Sequence, residues 1–306
     1  MTDAGPPRES KYTRDVNGKP VGELMFSKDG TRAYQVTRIS RRGGLFRGWD
    51  IATGREVGFG PRGEPIADGL RLSEDGTRAY QTTLAADDYV NSEMWIIDAN
   101  RGTPIAHHEL PFRPCGGPVV SKNGTRACQV TSGFPGGTRH TFVCVVDGAH
   151  GARVGEIIDL AGEEPVGALA LSEDGTRAYQ STYSHDEAGR CVASTAVIDT
   201  IHGTLVAKCS LGSGQPVGGP LVSKDGTHAY QVITNPDVTL VVSIDAATDP
   251  PQTRPIAGVP GGKPVGALRL SEDGTHACQT FSYREEGSDG SGRYMTQVVV
   301  IDTRAV

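Results

Sequence analysis

The chain has 306 residues, of which 36 are acidic and 30 basic, and its net charge near pH 7 is −6. It has no basic run of the kind that binds a phosphate backbone, so we expect no nucleic-acid partner. It also has no apolar stretch long enough to span a membrane. The first residues lack the apolar core of a secretory signal. This predicts a cytoplasmic protein, unless the sequence is trimmed from a longer surface or secreted one.

A ten-residue phrase of the type "LSEDGTRAYQ" recurs along the whole chain. The copies lie roughly 50 residues apart, a period typical of propellers and solenoids. The six copies begin their S-x-D-G-T core, or the variant S-x-N-G-T, at Ser27, Ser73, Ser121, Ser172, Ser223 and Ser271.

Each repeat contains the same predicted elements in the same order. A Pro and an apolar first strand precede S-x-D-G-T, where the Asp-Gly pair predicts a tight hairpin turn. A second strand follows, then a loop of variable length, a third strand ending in Asp, a turn and a weaker fourth strand. Four antiparallel strands form one propeller blade, and the chain lacks a helical apolar period. The sequence therefore predicts an all-β, six-bladed β-propeller in one domain.

The predicted blades follow one another along the chain, and the last one is incomplete. The chain ends soon after the third strand of the sixth repeat, so we expect an N-terminal strand at about residues 9–16 to supply the missing outer strand and close the ring. The boundaries are about 18–62, 63–112, 113–162, 163–213, 214–261 and 262–306.

The repeats also alternate in character. Repeats one, three and five carry S-K and then Q-V, whereas two, four and six carry S-E and then Q-T or Q-S. This predicts approximate three-fold symmetry of two-blade units. One Gln stands at the same position of every repeat, and we expect each to be buried between blades and hydrogen-bonded to backbone.

These motifs resemble the YVTN-type β-propeller repeat family, in particular an actinobacterial-like branch with DGTRAYQ repeats. The resemblance covers residues 10–306 and is carried by S-x-D-G-T, the following Tyr and third strands such as "VVID". It implies a propeller fold. It does not select a function, because similar repeats occur in surface proteins, redox-associated propellers and lactonase-like enzymes.

The loop between the second and third strands varies most, and such loops gather on one face of a propeller. Repeats two, four and six have acidic loops there, and repeats one and three have basic or aromatic ones. We predict ligand contacts by residues of these loops, with solvated loop tips as the alternative. The candidates are Arg41, Arg42, Asp87, Asp88, Tyr89, Phe134, His140, Asp186, Glu187, Glu285 and Glu286.

The leading hypothesis is a monomeric, non-catalytic binding or scaffolding module for a protein or glycan, with no cofactor, metal or catalytic residue assigned. The alternative is a lactonase-like hydrolase with a divalent metal at the channel mouth, where Glu23 and Asp68 are the acidic residues of the first strands.

Six cysteines are present without a C-x-x-C pair, which argues against a structural zinc site. Disulfides Cys128–Cys144 and Cys191–Cys209 remain open alternatives to buried thiols.

Overall fold

Each copy of the S-x-D-G-T phrase connects the first two strands of a separate antiparallel sheet. The computed structural model describes residues 17–40, 43–85, 90–286 and 292–303. We number the sheets 1 to 6 along the chain. Sheet 1 contains β1 (Lys19–Phe26), β2 (Arg32–Ser40), β3 (Gly43–Asp50) and β4 (Glu56–Phe59); sheet 2 contains β5 (Glu64–Leu72), β6 (Arg78–Leu84), β7 (Ser92–Asp98) and β8 (Thr103–Leu110); sheet 3 contains β9 (Arg113–Pro114), β10 (Val119–Val120), β11 (Arg126–Gly133), β12 (His140–Asp147) and β13 (Ile158–Ala161).

The second half of the chain continues the same pattern. Within the described residues the sole helical turn is a 3-10 turn at Pro135–Gly137, as the missing helical period predicts. Sheet 4 contains β14 (Glu164–Pro165), β15 (Ala170–Leu171), β16 (Arg177–His185), β17 (Cys191–Asp199) and β18 (Thr204–Ser213); sheet 5 contains β19 (Gln215–Val222), β20 (His228–Thr234), β21 (Val238–Asp245) and β22 (Gln252–Pro260); sheet 6 contains β23 (Lys263–Leu270), β24 (His276–Glu286) and β25 (Gly292–Asp302).

Sheet 6 thus has three strands in the described part of the chain. The strand predicted at residues 9–16 lies outside the described residues. No described helix is long and apolar enough to cross a membrane.

The S-x-D-G-T turn is held by hydrogen bonds among its own residues. In sheet 2, the Ser73 hydroxyl donates to Oδ1 of Asp75 at 2.6 Å, and this oxygen also accepts from the backbone N–H of Thr77 at 3.0 Å. The N–H of Arg78 donates back to the Ser73 hydroxyl at 2.9 Å. Gly76 has φ 68°, a left-handed value that favours Gly. The predicted tight turn is confirmed.

The first strand of every sheet is interrupted at one point. In sheets 1, 2, 5 and 6 its register shifts there, and in sheets 3 and 4 it is split into two short strands. Five sheets place a left-handed Gly at the interruption, for example Gly167 with φ 65°. Sheet 2 has Asp68 there instead, with φ 53°. The backbone geometry is thus common to all repeats, although one of them uses a less suitable residue.

The core lies between the sheets. Strand contacts connect sheet 1 to sheet 2 and continue in order to sheet 6, and a buried apolar cluster fills each of these five junctions. Four tyrosines of the repeated phrase are fully buried. Tyr179 of sheet 4 donates its hydroxyl to the Gly226 carbonyl in the turn of sheet 5 at 2.7 Å.

The alternation of the repeats has a physical basis in two kinds of junction. Between sheets 1 and 2, 3 and 4, and 5 and 6, the Lys of S-K contacts the Glu of the following S-E. Lys122 and Glu173, for example, are 3.1 Å apart. At the remaining junctions a hydroxyl donates to the amide oxygen of the next Gln. Thr82 bonds Gln129 at 2.7 Å.

The six glutamines bond backbone carbonyls, as predicted. Five are buried and Gln35 is partly buried, and Gln180 donates to the Ser181 carbonyl at 2.8 Å.

All six cysteines are free thiols, so neither disulfide alternative is formed. The strand register explains this, because Cys128 stands opposite Val145 and Cys209 stands opposite Thr195.

Candidate functional site

An open groove lies on the face that carries the variable loops, beside the outer end of sheet 3. It encloses about 500 Å³ and is built by three segments: the β6–β7 loop, the connection from sheet 2 to sheet 3, and the β11–β12 loop. The lining residues are Val90, Phe112, Arg113, Pro114, Cys115, Ser132, Gly133, Phe134 and Arg139. The groove therefore combines aromatic rings with two guanidinium groups.

Phe134 is the most prominent of these side chains. It is 56% exposed at the start of the short 3-10 turn, and the Arg139 guanidinium carbon lies 4.3 Å from the centre of its ring. Arg139 is also 3.1 Å from the Glu164 carboxylate of sheet 4. This ion pair and the cation–π contact restrict both side chains, so an exposed aromatic surface is held in place.

His140 is connected to the groove through two stacked aromatic rings. Its ring stacks on Phe142 at 5.7 Å, and Phe142 in turn stacks on Phe112 at 5.5 Å. Nδ1 of His140 is 2.8 Å from the Asp159 carboxylate on β13. Phe112 has φ 60°, an uncommon conformation for a residue with a large side chain. The predicted contact residue His140 is thus engaged inside its own sheet.

A row of polar side chains continues from Arg139 and Glu164 across sheet 4. The pKa of Tyr183 is raised above its usual value, mainly by a hydrogen bond to the Glu164 carboxylate and to a smaller extent by burial. The Tyr183 ring packs edge-on against His185 with centroids 5.7 Å apart. Nε2 of His185 is 3.5 Å from the Cys191 sulfur. The outer end of sheet 4 therefore carries titratable groups in contact with each other.

The acidic candidates have different surroundings. Asp186 accepts from the backbone N–H groups of Ala188 and Arg190, both at 2.9 Å, and pairs with the Arg190 side chain at 2.8 Å. Its carboxylate therefore stabilises the conformation of its own loop. Glu187 and Glu285 are exposed. Glu286 pairs with Gly292 through the backbone at the end of the β24–β25 hairpin. Arg41, Arg42, Asp87, Asp88 and Tyr89 lie outside the described residues.

A second cavity, of about 210 Å³, lies where the first strands of sheets 2, 3 and 4 approach one another. Asp68 and Arg71 are its charged lining residues, and Cys115 contributes a thiol. Burial raises the pKa of Cys115 to about 11. Among the described residues, no three His, Cys, Asp or Glu side chains lie close enough together to hold a metal ion.

Sequence reasoning identified the loop of Phe134 and His140 but missed several residues that the structure places beside it. Phe112 was missed because it stands in a connection between sheets. Glu164, Tyr183, His185 and Cys191 come from another repeat. Glu164 stands at the start of the first strand of its repeat, whereas Tyr183, His185 and Cys191 adjoin the variable loop that follows "RAYQST".

Comparison with solved structures identifies the fold as a β-propeller. The Dos1 propeller matches with a TM-score of 0.56 and 13% identity over 90% of this chain and 66% of that one. Hydrazine synthase from Kuenenia stuttgartiensis matches with a TM-score of 0.51 and 16% identity, over 92% and 80%. KlAtg21, in complex with the coiled-coil of AgAtg16, matches with a TM-score of 0.52 and 12% identity, over 86% and 80%.

At these identities the structural similarities show the fold alone. No family model matches the chain and no curated protein matches it at a significant level, so the resemblance to the YVTN-type repeat family stays a prediction.

Proposed function

We propose that this protein is a non-catalytic propeller that binds a protein or glycan through the groove around Phe134. The observation that carries the proposal is the exposed Phe134 ring, held by Arg139 in a concave surface of about 500 Å³. Restrained aromatic and arginine side chains are enriched among residues that dominate binding energy. KlAtg21, whose fold is similar, was solved in complex with a coiled-coil, which supports a binding role for such a scaffold.

The test begins with a glycan array and a peptide-display library screened against the full chain, followed by calorimetry on each selected ligand. We expect Phe134→Ala and Arg139→Ala to weaken binding by about tenfold or more. Ile201→Ala is the matched control, because Ile201 is a 50% exposed apolar residue in the β17–β18 turn on the opposite face. Equal affinity in the groove variants and the control would place the ligand elsewhere.

The hydrolase alternative has a separate outcome. A stoichiometric divalent metal in the purified protein, with turnover of a lactone panel that EDTA abolishes, would overturn the non-catalytic proposal.

We further propose that the six sheets close into a ring by packing sheet 6 on sheet 1. Leu24 and Phe26 of β1 are 50% and 59% exposed, whereas Leu70, the counterpart of Leu24 in sheet 2, is 7% exposed. On the other side, Val298 and Val300 of β25 are each 59% exposed, although their counterparts in sheet 2, Met94 and Ile96, are fully buried. Both apolar faces are of the type that other junctions bury.

The polar residues of these two faces also support closure. Thr280 of sheet 6 stands in the same repeat position as Thr82 and Ser181, whose hydroxyls bond Gln129 and Gln231 of the following sheets at 2.7 and 2.5 Å. The corresponding acceptor for Thr280 is Gln35 of sheet 1. In this proposal residues 9–16 pair with β25 as the fourth strand of sheet 6.

A further inference from the structure

Two reactive side chains face each other at the outer end of the β16–β17 hairpin. His185 is the last residue of β16, Cys191 is the first of β17, and the two are direct cross-strand partners. Nε2 of His185 lies 3.5 Å from the Cys191 sulfur. His185 is exposed and Cys191 partly buried, so the pair is accessible from the face that carries the variable loops.

Two ion pairs and one exposed carboxylate lie near this pair. Within the hairpin, Asp186 pairs with Arg190 at 2.8 Å, and Glu187 is exposed in the same loop. From the neighbouring sheet 3, Arg139 pairs with Glu164 at 3.1 Å. Tyr183, on β16, stands directly opposite Glu164 of β14.

The β18 side contacts the pair through the backbone. There the backbone N–H of Gly214, which follows β18, donates to the Cys191 carbonyl at 2.9 Å. His185 is the imidazole in direct contact with the sulfur. An imidazolium beside a thiol favours the thiolate form.

Most of the other cysteines are in surroundings that suppress this chemistry. Cys128, Cys144 and Cys209 are buried, and Cys115 is partly buried. Burial raises the pKa of all four thiols, to about 12 for Cys144. Cys278 is partly buried on β24. A thiol kept in its protonated form is a poor nucleophile.

We infer that Cys191, paired with His185, is a modification site that forms mixed disulfides with low-molecular-weight disulfides. Nε2 of His185 takes the thiol proton, and the thiolate attacks one sulfur of R–S–S–R. The new Cys191–S–S–R bond forms as the old S–S bond breaks, and the leaving R–S⁻ takes the proton from Nε2 to give R–SH. The small disulfide is the oxidant, so no further co-reactant is needed. This inference does not depend on the proposed binding function.

The test uses the native full chain with oxidised glutathione, peptide mapping by mass spectrometry, and a colorimetric aromatic disulfide for rates from pH 5.5 to 9. We expect Cys191 to react about tenfold faster than Cys278 or any other thiol at pH 7. His185→Gln should slow Cys191 by about tenfold at pH 7 and move its rate profile to higher pH.

His202→Gln is the matched control, since His202 is also exposed but pairs with Asp199 in the turn on the opposite face. Its rate should equal that of the unmodified chain. Equal rates at Cys191 and Cys278, or an unchanged rate and pH profile in His185→Gln with an unaltered melting curve, would overturn the inference. In the Cys191→Ser variant the modified peptide should be absent from the mass spectrum, which assigns that peptide to Cys191.

Discussion

Single residues explain why the repeats alternate, and the glutamines show it most directly. Gln231 donates to three backbone carbonyls, and its amide oxygen accepts from the Ser181 hydroxyl at 2.5 Å. Gln180 makes the same kind of backbone contacts, yet its amide oxygen has no hydrogen-bond partner in the described part of the chain. Equivalent positions in adjacent repeats thus contribute different numbers of hydrogen bonds.

At this scale we predict that Gln231→Leu destabilises the protein more than Gln180→Leu. Both substitutions remove bonds to buried carbonyls and should lower the free energy of unfolding by about 1–3 kcal/mol. Gln231→Leu also removes the acceptor of Ser181, which adds about 1 kcal/mol. Urea unfolding measures the difference. Equal losses, or a ligand affinity that falls in a stably folded Gln180→Leu variant, would contradict the structural role.

At the scale of elements, the S-x-D-G-T turns connect stability to pH. Hydrogen bonds from the Ser27 hydroxyl, and from the N–H and hydroxyl of Thr31, lower the pKa of Asp29 to about 2. The equivalent bonds from Ser271 and Thr275 lower the pKa of Asp273. The folded state therefore prefers both ionised carboxylates more strongly than the unfolded chain does.

We predict that the stability from these turns is complete above about pH 4 and is lost as the pH falls toward about 2. The unfolded chain binds these protons at a higher pH than the folded one, so acid favours unfolding. The double variant Asp29→Asn with Asp273→Asn should lose less stability on acidification. Asn keeps the accepting oxygen, as Asn123 does in sheet 3 with bonds of 2.8 Å from Ser121 and 3.1 Å from the Thr125 N–H. The urea midpoint measured from pH 2 to 7 tests this, and parallel curves would refute it.

The interrupted first strand provides a second prediction at this scale. Gly167 and Gly116 both have positive φ, but an added Cβ at Gly167 would collide with the Gly219 backbone of sheet 5, whereas the space around Gly116 is open. We expect Gly116→Ala to lower the free energy of unfolding by about 1–2 kcal/mol through backbone strain alone. Gly167→Ala should cost about 1–3 kcal/mol more, because two sheets must separate. Similar losses by urea unfolding would argue against close packing at this junction.

At the scale of the whole molecule, ring closure can be tested on the exposed face of sheet 6. If sheet 6 packs on sheet 1, Val300→Asp buries an unpaired carboxylate and should lower the free energy of unfolding by about 3 kcal/mol. Val206→Asp is the control, because Val206 is 42% exposed on β18 and no proposed contact covers it. Its effect should stay within about 0.5 kcal/mol. Equal small effects would mean that sheet 6 stays uncovered.

Removal of residues 1–17 tests the proposed outer strand. In the proposed ring, its removal would leave β25 as an edge strand without the hydrogen bonds of a fourth strand. We predict a sharply lower melting temperature by calorimetry, together with a concentration-dependent mass if free edges associate. An unchanged melting temperature would exclude residues 9–16 as the closing strand.

The parts of this protein that were predictable from its sequence are those whose contacts are local. The Ser, the Asp (Asn123 in sheet 3) and the Thr of each turn bond one another within five residues, so the turn conformation depends on the repeated phrase alone. The strand order within each sheet follows for the same reason, because strands pair in chain order apart from the split first strands of sheets 3 and 4. The contact between His140 and Asp159 was not predictable in this way, because Asp159 stands on another strand.

The sequence by itself determined a repeated four-stranded unit, the position of its turns and the alternation of its copies, because hydrogen bonding and apolar periodicity act over short distances along the chain. Only the tertiary structure decided which side chains of different repeats meet. Arg139 of sheet 3 reaches Glu164 of sheet 4, and the groove needs Phe112 and Phe134 from separate segments. Such contacts depend on how adjacent sheets pack, and the loops that make them follow no repeat.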